Sequence, residues 1–510
     1  MDYVIGCDLG SQGVKTILLS ADGKMVGESR VGYGINYPYP TWAEQSPDLW
    51  IEALHGAVRK LIADCGVEAT KIRAIGLDAQ VDGVVPINNQ GNVLRPAIIW
   101  MDRRAVAQCN YLTKICTDKN SFQLTGLNLD ASHVAPKIRW LADNEPYIYQ
   151  ETSHFLLPGS FLAFYLSGEL GIDYSNASST MLLNVYNKVW SEEMCDIFDI
   201  SPDRLAPIYP AITKIGNLRP SISEILGLKP STSIILGCGD EHAACLGAGI
   251  INPGLICDIA GTAEPVCAAS HTPFFDPTSL VETHCHADPD LWLLENPGFV
   301  SGANYRWLRD EFFKPEIQSA SGSCRNPYEL LDQLAADIPP GSEGLIFLPC
   351  LMGAMTPTWN AAARGTYMGF TLAHSRGHFV RALLEGSAYA LRDITDQMSR
   401  MGLPLQQIRA VGGGARSRLW RQIKADVTGL PVLLPETTET TALGAGILAL
   451  VGIGLQSSLE EAIQHVVKIV DIIEPVEKSR RCYEEYYQLY RATYQALLPV
   501  FDQLSGITCK

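Results

Sequence analysis

The stretch Tyr3-Val4-Ile5-Gly6-Cys7-Asp8-Leu9-Gly10-Ser11-Gln12-Gly13-Val14-Lys15-Thr16-Ile17-Leu18-Leu19 reads as strand, small-residue turn, strand. Ala21-Asp22-Gly23-Lys24 predicts a second tight turn into a third strand. A later stretch, Leu255-Ile256-Cys257-Asp258-Ile259-Ala260-Gly261-Thr262-Ala263-Glu264-Pro265-Val266, echoes the first. Cys-Asp-Leu-Gly-Ser is answered by Cys-Asp-Ile-Ala-Gly-Thr, so a glycine and a hydroxyl residue follow an apolar strand in both. The echo predicts two related halves meeting near Ile250-Ile251-Asn252-Pro253-Gly254, with domains over 1–249 and 250–510.

Around these strands the pattern is mixed α/β. Ser46-Pro47-Asp48 is a cap with proline at the first helical position, and Trp50, Ala53, Leu54, Ala57, Val58 and Leu61 follow at helical spacing up to Gly66. Short apolar runs predict strands at 72–77, 84–87, 98–100, 233–236 and 408–411, and helical stretches fall at 138–141, 375–398 and 419–428. Residues 441–451 read as an almost wholly apolar, buried helix, and Tyr483, Tyr486, Tyr487, Tyr490 and Tyr494 as the packing stripe of a C-terminal helix.

The chain has 510 residues, 47% hydrophobic and 18% charged, which exceeds one hydrophobic core and predicts two large domains. A net charge of −16 repels a nucleic-acid backbone, and nothing longer than Lys478-Ser479-Arg480-Arg481 offsets it, so nucleic acid is excluded as a partner. The 14 cysteines, among them Cys7, Cys65, Cys109 and Cys116, form no Cys-x-x-Cys pair and read as reduced thiols of a cytoplasmic protein. The apolar run from Ala442 to Gly454 is too short to span a bilayer, so no membrane is expected.

Glycine turns at 10–13, 237–239, 261–262 and 412–414 could cradle phosphate, because glycine lets backbone N–H groups approach an anion closely. None matches the P-loop or the dinucleotide fingerprint. Asp8 ends a strand, where it could hold a hydrated Mg²⁺ or merely bond its own turn. Asp240 lies where a strand delivers the chain to a small-residue helix, so it could accept the proton of an attacking hydroxyl or simply cap that helix.

Taken together, six segments resemble the FGGY family of carbohydrate kinases over nearly the whole chain, most similar to its xylulokinases. They are 6–15, Ile99-Trp100-Met101-Asp102-Arg103-Arg104, Gly237-Cys238-Gly239-Asp240-Glu241-His242-Ala243-Ala244, Gly261-Thr262, Gly302 through Asp310, and Gly412-Gly413-Gly414-Ala415-Arg416-Ser417. Residues 363–370 and 378–386 look like the family's C-terminal signature, and Lys137-Ile138-Arg139-Trp140-Leu141 like its N-terminal one. The resemblance implies an α/β fold of two actin-like (ribonuclease H-like) domains of the sugar kinase, Hsp70 and actin superfamily, with an interdomain cleft. It also implies ATP and Mg²⁺ as cofactors, and a homodimer is expected.

Carried over by residue, the resemblance puts the catalytic base at Asp240 and the metal-positioning carboxylate at Asp8. Sugar contacts fall on Val81, Asp82, Trp100, Asp102 and Glu241. Nucleotide contacts fall on Ser11, Gln12, Lys15, Gly261, Thr262, Gly302, Arg306, Gly413, Gly414 and Ser417. The implied reaction is ATP-dependent phosphorylation of a small sugar at a terminal hydroxyl, with a pentulose such as D-xylulose as first choice. Other acceptors (ribulose, glycerol, a tetritol), a superfamily ATPase without a sugar, or a sugar-sensing regulator are the alternatives. The chain departs from xylulokinases at Asp82, where they present histidine, and at Glu241, where they often present an amide. Asp82 is therefore expected to accept hydrogen bonds from sugar hydroxyls, the other reading being that with Gly83 it only shapes a turn.

Overall fold

The computed structural model describes residues 1–113, 118–315, 317 and 326–508. These divide into two compact units. The first holds Met1–Ile251, Ala269–Leu294 and Glu439–Lys468, and the second Asn252–Ala268, Glu295–Thr438 and Ile469–Lys510. The first segment ends two residues past the expected boundary at 249, but two later segments also belong to the first unit. Packing explains one of them: helix Thr440–Gly452 lies against Tyr3–Gly10, Ile72–Ala79 and helix Asp240–Gly247.

In the first unit the strands run in the order Lys214–Asn217, Ser233–Gly239, Ile72–Ala79, Tyr3–Gly10, Gly13–Ser20, Met25–Gly32. The quoted opening forms an antiparallel hairpin from Tyr3↔Ser20 to Gly10↔Gly13, and its first strand pairs in parallel with Ile72–Ala79. Ser233–Gly239 also pairs in parallel with Ile72–Ala79, so three strands deliver their carboxyl ends to one edge, the usual place for a ligand in an α/β sheet. Helix Pro47–Cys65, capped by Ser46 and closed by Gly66 in the left-handed region, matches its prediction and packs against the outer strands.

Helix Thr440–Gly452 approaches this sheet unusually closely. A Cβ on Gly6 would lie 2.0 Å from Ala442 O, one on Gly76 2.1 Å from Ala445 O, and one on Gly444 2.1 Å from Ala243 O. Backbone meets backbone at these points, so the wholly apolar stretch is a central helix gripped through glycines.

The second unit repeats the pattern. Leu255–Ile259 pairs antiparallel with Val266–Ser270 and in parallel with Gln407–Val411, which is followed in order by Val432–Pro435 and Ile469–Ile473. The opening strand of each half thus has a hairpin partner on one side and a parallel partner on the other, as the sequence echo predicts. Helix Arg376–Arg400 begins after Ser375, and helix Glu477–Thr508 buries Tyr483, Tyr487, Tyr490 and Tyr494 in one cluster.

Of the 11 cysteines among the described residues, all but Cys65 and Cys482 are buried. Cys116, Cys324 and Cys509 lie outside the described residues. No described helix is long and apolar enough to cross a membrane.

Candidate active site

Asp8 and Asp78 are register partners at the carboxyl ends of neighbouring parallel strands, which puts both side chains on one face. Asp240 follows Gly239, itself paired with Ala79, so a third carboxylate reaches the same edge. Gly237-Cys238-Gly239 is not the phosphate turn that its glycines predict, but the end of strand Ser233–Gly239. The register slips between Ile235 and Cys238, and Gly237 has φ 79°, with an ideal Cβ 1.6 Å from Leu77 O. Only glycine fits such a bulge, which re-aims the residues that follow it.

Asp240 is the first residue of helix Asp240–Gly247 and accepts from Glu241 N at 3.0 Å. Its carboxylate is therefore tied to the helix start while remaining half-buried. Burial, and after it the charges of Glu241 and Asp8, hold its carboxyl well above the usual carboxylate range. Asp8 accepts from Thr441 Oγ1 at 2.8 Å, a bond supplied by the central helix. Burial raises Asp8 too, although its neighbours Thr441, Asp78 and Lys15 oppose the rise. Asp78 is 1% exposed, and neither of its oxygens has a hydrogen-bond donor. Burial and the charges of Asp8 and Asp240 push its carboxyl well up.

Val81 lies beside this edge: a Cβ on Gly239 would be 2.5 Å from Val81 Cγ1. Asp82 adopts φ 58° and is buried, so it does shape a turn, yet its carboxylate also pairs with His133, Oδ2 3.2 Å from Nδ1. Its Oδ1 is buried without a partner. Burial alone would lower His133, but the charge and hydrogen bond of Asp82 outweigh it and hold the imidazole at about 9. Lys137 stands in the first turn of helix Val134–Asn144, just after the N-cap residue His133, and donates to Asp82 O (2.6 Å), Ile99 O (2.9 Å) and Ser132 O. A single buried ammonium thus joins the Asp82 turn to the segment carrying Trp100, and burial brings it down to about 8.

Trp100 is 41% exposed, available to a ligand. Asp102 differs from its expected role as a sugar contact. It is fully buried, Oδ1 accepts from Arg104 N and Nε (both 2.9 Å), and Oδ2 from Ala43 N (2.6 Å) and Arg104 Nη2 (2.7 Å). With both oxygens occupied, Asp102 holds the loop rather than offering an acceptor. Glu241 is half-buried next to Asp240.

On the first hairpin, Ser11 O accepts from Gln45 Nε2 at 2.7 Å and Gln12 is exposed at the turn. Lys15, expected at the nucleotide, is held by Glu439 (3.0 Å) and Glu28 (3.4 Å).

The predicted nucleotide residues of the second unit gather at the carboxyl ends of Leu255–Ile259 and Gln407–Val411. A Cβ on Gly302 would lie 2.1 Å from Gly261 O, and Ala303 N donates to Thr262 O at 3.1 Å, so helix Gly302–Phe312 starts on the Gly261-Thr262 turn. Arg306 Nη2 reaches Thr262 Oγ1 at 3.5 Å. Gly414 N donates to Ala260 O at 2.9 Å, bringing the Gly412-Gly413-Gly414 turn to the same place, and Gly413 is exposed. A helix start beside a glycine turn is the kind of backbone that suits phosphate. Ser417, expected at the nucleotide, caps helix Arg418–Thr428 by accepting from Trp420 N at 3.0 Å with its hydroxyl.

The sequence reading missed several residues. Asp78 stands two positions before Gln80 inside a strand and carries no motif signal; only its register with Asp8 reveals it. His133 and Lys137 sit at the start of helix Val134–Asn144, the first as its N-cap residue and the second in its first turn, and no motif marks either. Lys424 forms a buried ion contact with Asp258 and Glu264. Nothing in sequence links them before the fold does.

Among the described residues no three His, Cys, Asp or Glu side chains form a cage for a metal ion. Mg²⁺ does not need one: it keeps several waters and takes one or two carboxylates beside phosphate. Asp8, with the orphaned carboxylate of Asp78 beside it, fits that demand.

Residues 3–247 match the N-terminal domain, and residues 258–453 the C-terminal domain, of the FGGY family of carbohydrate kinases. The chain is 31% identical to the xylulose kinase of Escherichia coli (strain K12) over 97% of this chain and 99% of that one. It is 29% identical to the gluconokinase of Bacillus subtilis (strain 168), covering 99% and 96%. It is 32% identical to the glycerol kinase of Aromatoleum aromaticum, covering 91% and 93%. The solved structure of ligand-bound xylulose kinase from Lactobacillus acidophilus superposes with a TM-score of 0.90 at 25% identity, covering 99% of this chain and 100% of that one. With both domains matched in order across two α/β units of actin-like topology, the chain belongs to the FGGY family of carbohydrate kinases.

Proposed function

We propose that the protein transfers the γ-phosphoryl group of ATP to a terminal hydroxyl of a small neutral sugar, with D-xylulose as the first candidate. The observation that carries this reading is the placement of Asp240: a glycine-only bulge delivers its carboxylate to the strand edge where Asp8 also ends. Asp240 accepts the proton of the attacking hydroxyl, and the raised proton affinity that burial confers suits that task. Glu241 N, donating to Asp240 Oδ1, fixes the orientation of the base. Mg²⁺, when bound with the nucleotide, neutralises charge on the phosphates. Thr262, Arg306 and the N–H groups near Gly302 and Gly413 bind the phosphates and nucleotide.

Sugar recognition falls to Val81, Asp82, Trp100 and Glu241, with Asp102 acting behind Trp100. The charge pattern favours a neutral polyol over a sugar acid. Arg104 is spent on Asp102 and Glu44, Arg103 on Asp130, His133 on Asp82, and Lys137 on main-chain carbonyls, while Asp240 and Glu241 add further carboxyl groups. A carboxylate substrate would meet like charge. Names among the relatives support xylulose, gluconate and glycerol alike, so charge is the deciding argument.

The test is ADP release with D-xylulose, D-ribulose, L-xylulose, glycerol, a tetritol and gluconate, for the parent and for Asp82→Ala. We expect D-xylulose to give the highest kcat/KM and gluconate essentially none. A preference for gluconate would overturn the neutral-sugar reading, and an order and magnitude untouched by Asp82→Ala would remove Asp82 from recognition.

A further inference from the structure

Two buried carboxylates that face one another need either a shared proton or a positive charge beside them, because burial penalises each charge and their repulsion adds to the penalty. The second unit meets this need internally. There Asp258 and Glu264 flank Lys424, whose Nζ lies 2.5 Å from Asp258 Oδ2 and 2.9 Å from Glu264 Oε1. Asp258 is the sequence counterpart of Asp8, each following a cysteine on the opening strand of its half.

The first unit has the carboxylates without the ammonium. Asp8 is in register with Asp78, and Asp78 is 1% exposed with no donor to either oxygen. Asp8 receives one hydroxyl, from Thr441. Lys15, the cation that acts on Asp8, is itself bound by Glu28 and Glu439. Asp240 adds a further negative charge to the same edge.

We propose that Asp78 is a second carboxylate ligand of a divalent cation, so that Asp8 and Asp78 together bind Mg²⁺ or Mn²⁺ before nucleotide arrives. A hard cation with oxygen ligands and several retained waters matches this donor set. The pair thus has an external ion where the second unit carries its own lysine. The idea rests on the kinase reading for its place in catalysis, but not for the binding event itself.

The test is Mn²⁺ binding to the full chain without nucleotide or sugar, followed by loss of the free-ion electron paramagnetic resonance signal. We expect about one tight Mn²⁺ per chain, weakened at least ~10-fold in Asp78→Asn and in Asp78→Ser, with unchanged far-ultraviolet circular dichroism as the check of folding. Two substitutions are included because Asn preserves shape and Ser removes the crowding, so one folding failure does not void the test. Absence of Mn²⁺ binding in the parent, or equal affinity in parent and variants, would overturn the proposal and leave a shared proton as what joins the two carboxyls. Failure of the kinase reading would show separately, as no ADP release with any sugar while Mn²⁺ still binds.

Discussion

Lys424 and Asp258 form a sealed ion pair, 2.5 Å apart with 2% and 0% of their side chains exposed, Asp258 standing on the strand that leads into the turn carrying Thr262. Glu264 completes the group at 2.9 Å, and burial together with the charge of Asp258 pushes its carboxyl up to about 8. The arrangement is costly to break from one side, because the partner left behind is an uncompensated buried charge.

Lys424→Met should therefore cost about 3–5 kcal/mol of stability. Glu264→Gln leaves the Lys424–Asp258 pair balanced one to one and should cost about 1 kcal/mol. Urea midpoints of the parent and the two variants check the ordering; equal losses would count against the uncompensated-charge argument.

Asp240→Asn should retain the fold and lower kcat by about 10²–10⁴-fold, the range for removing a general base. Single-turnover ADP release measures it. Near-normal turnover would return Asp240 to the role of a helix-start residue bonded to Glu241 N.

The His133–Asp82 pair makes stability depend on pH. His133 in the folded chain is held at about 9 by Asp82, above the ordinary histidine value of 6.5. Below about pH 6.5 folded and unfolded chains both carry the proton, and the contribution is fully present. As pH rises toward 9 the unfolded chain has lost a proton that the folded chain keeps, so the contribution shrinks, by at most about 3 kcal/mol. Denaturant midpoints at pH 6 and pH 9.5 should differ more in the parent than in His133→Gln, and parallel behaviour would count against the pairing.

Gly6→Ala should fail to fold or lose more than about 3 kcal/mol, since its Cβ would lie 2.0 Å from the main-chain oxygen of Ala442. Gly506→Ala, with nothing within 4 Å and a helical position, should change stability by less than about 1 kcal/mol. Thermal melts of the two variants make the comparison.

Local chemistry alone determined a good deal here. The alternation and turn residues of 3–19 specify a hairpin, Ser46-Pro47 and Gly66 specify a helix and its ends, and the echo at 255–266 specifies a repeat. These signals act between residues close in the chain, so they survive without knowledge of the fold, and the ordered segments extended them to the family. Tertiary structure alone decided what depends on residues far apart in sequence. Asp8 meets Asp78 across 70 positions and Thr441 across 433. Gly237, which reads as a turn, becomes a strand bulge because Ile72–Ala79 runs beside it. Asp102 turns from an available acceptor into a saturated one because Ala43 and Arg104 fold onto it. Helix 440–452 leaves its sequence neighbours for the first unit because glycines there let backbone approach backbone. Whether a carboxylate is free to bind a cation or a sugar is set by which donors reach it, and that is a property of packing rather than of pattern.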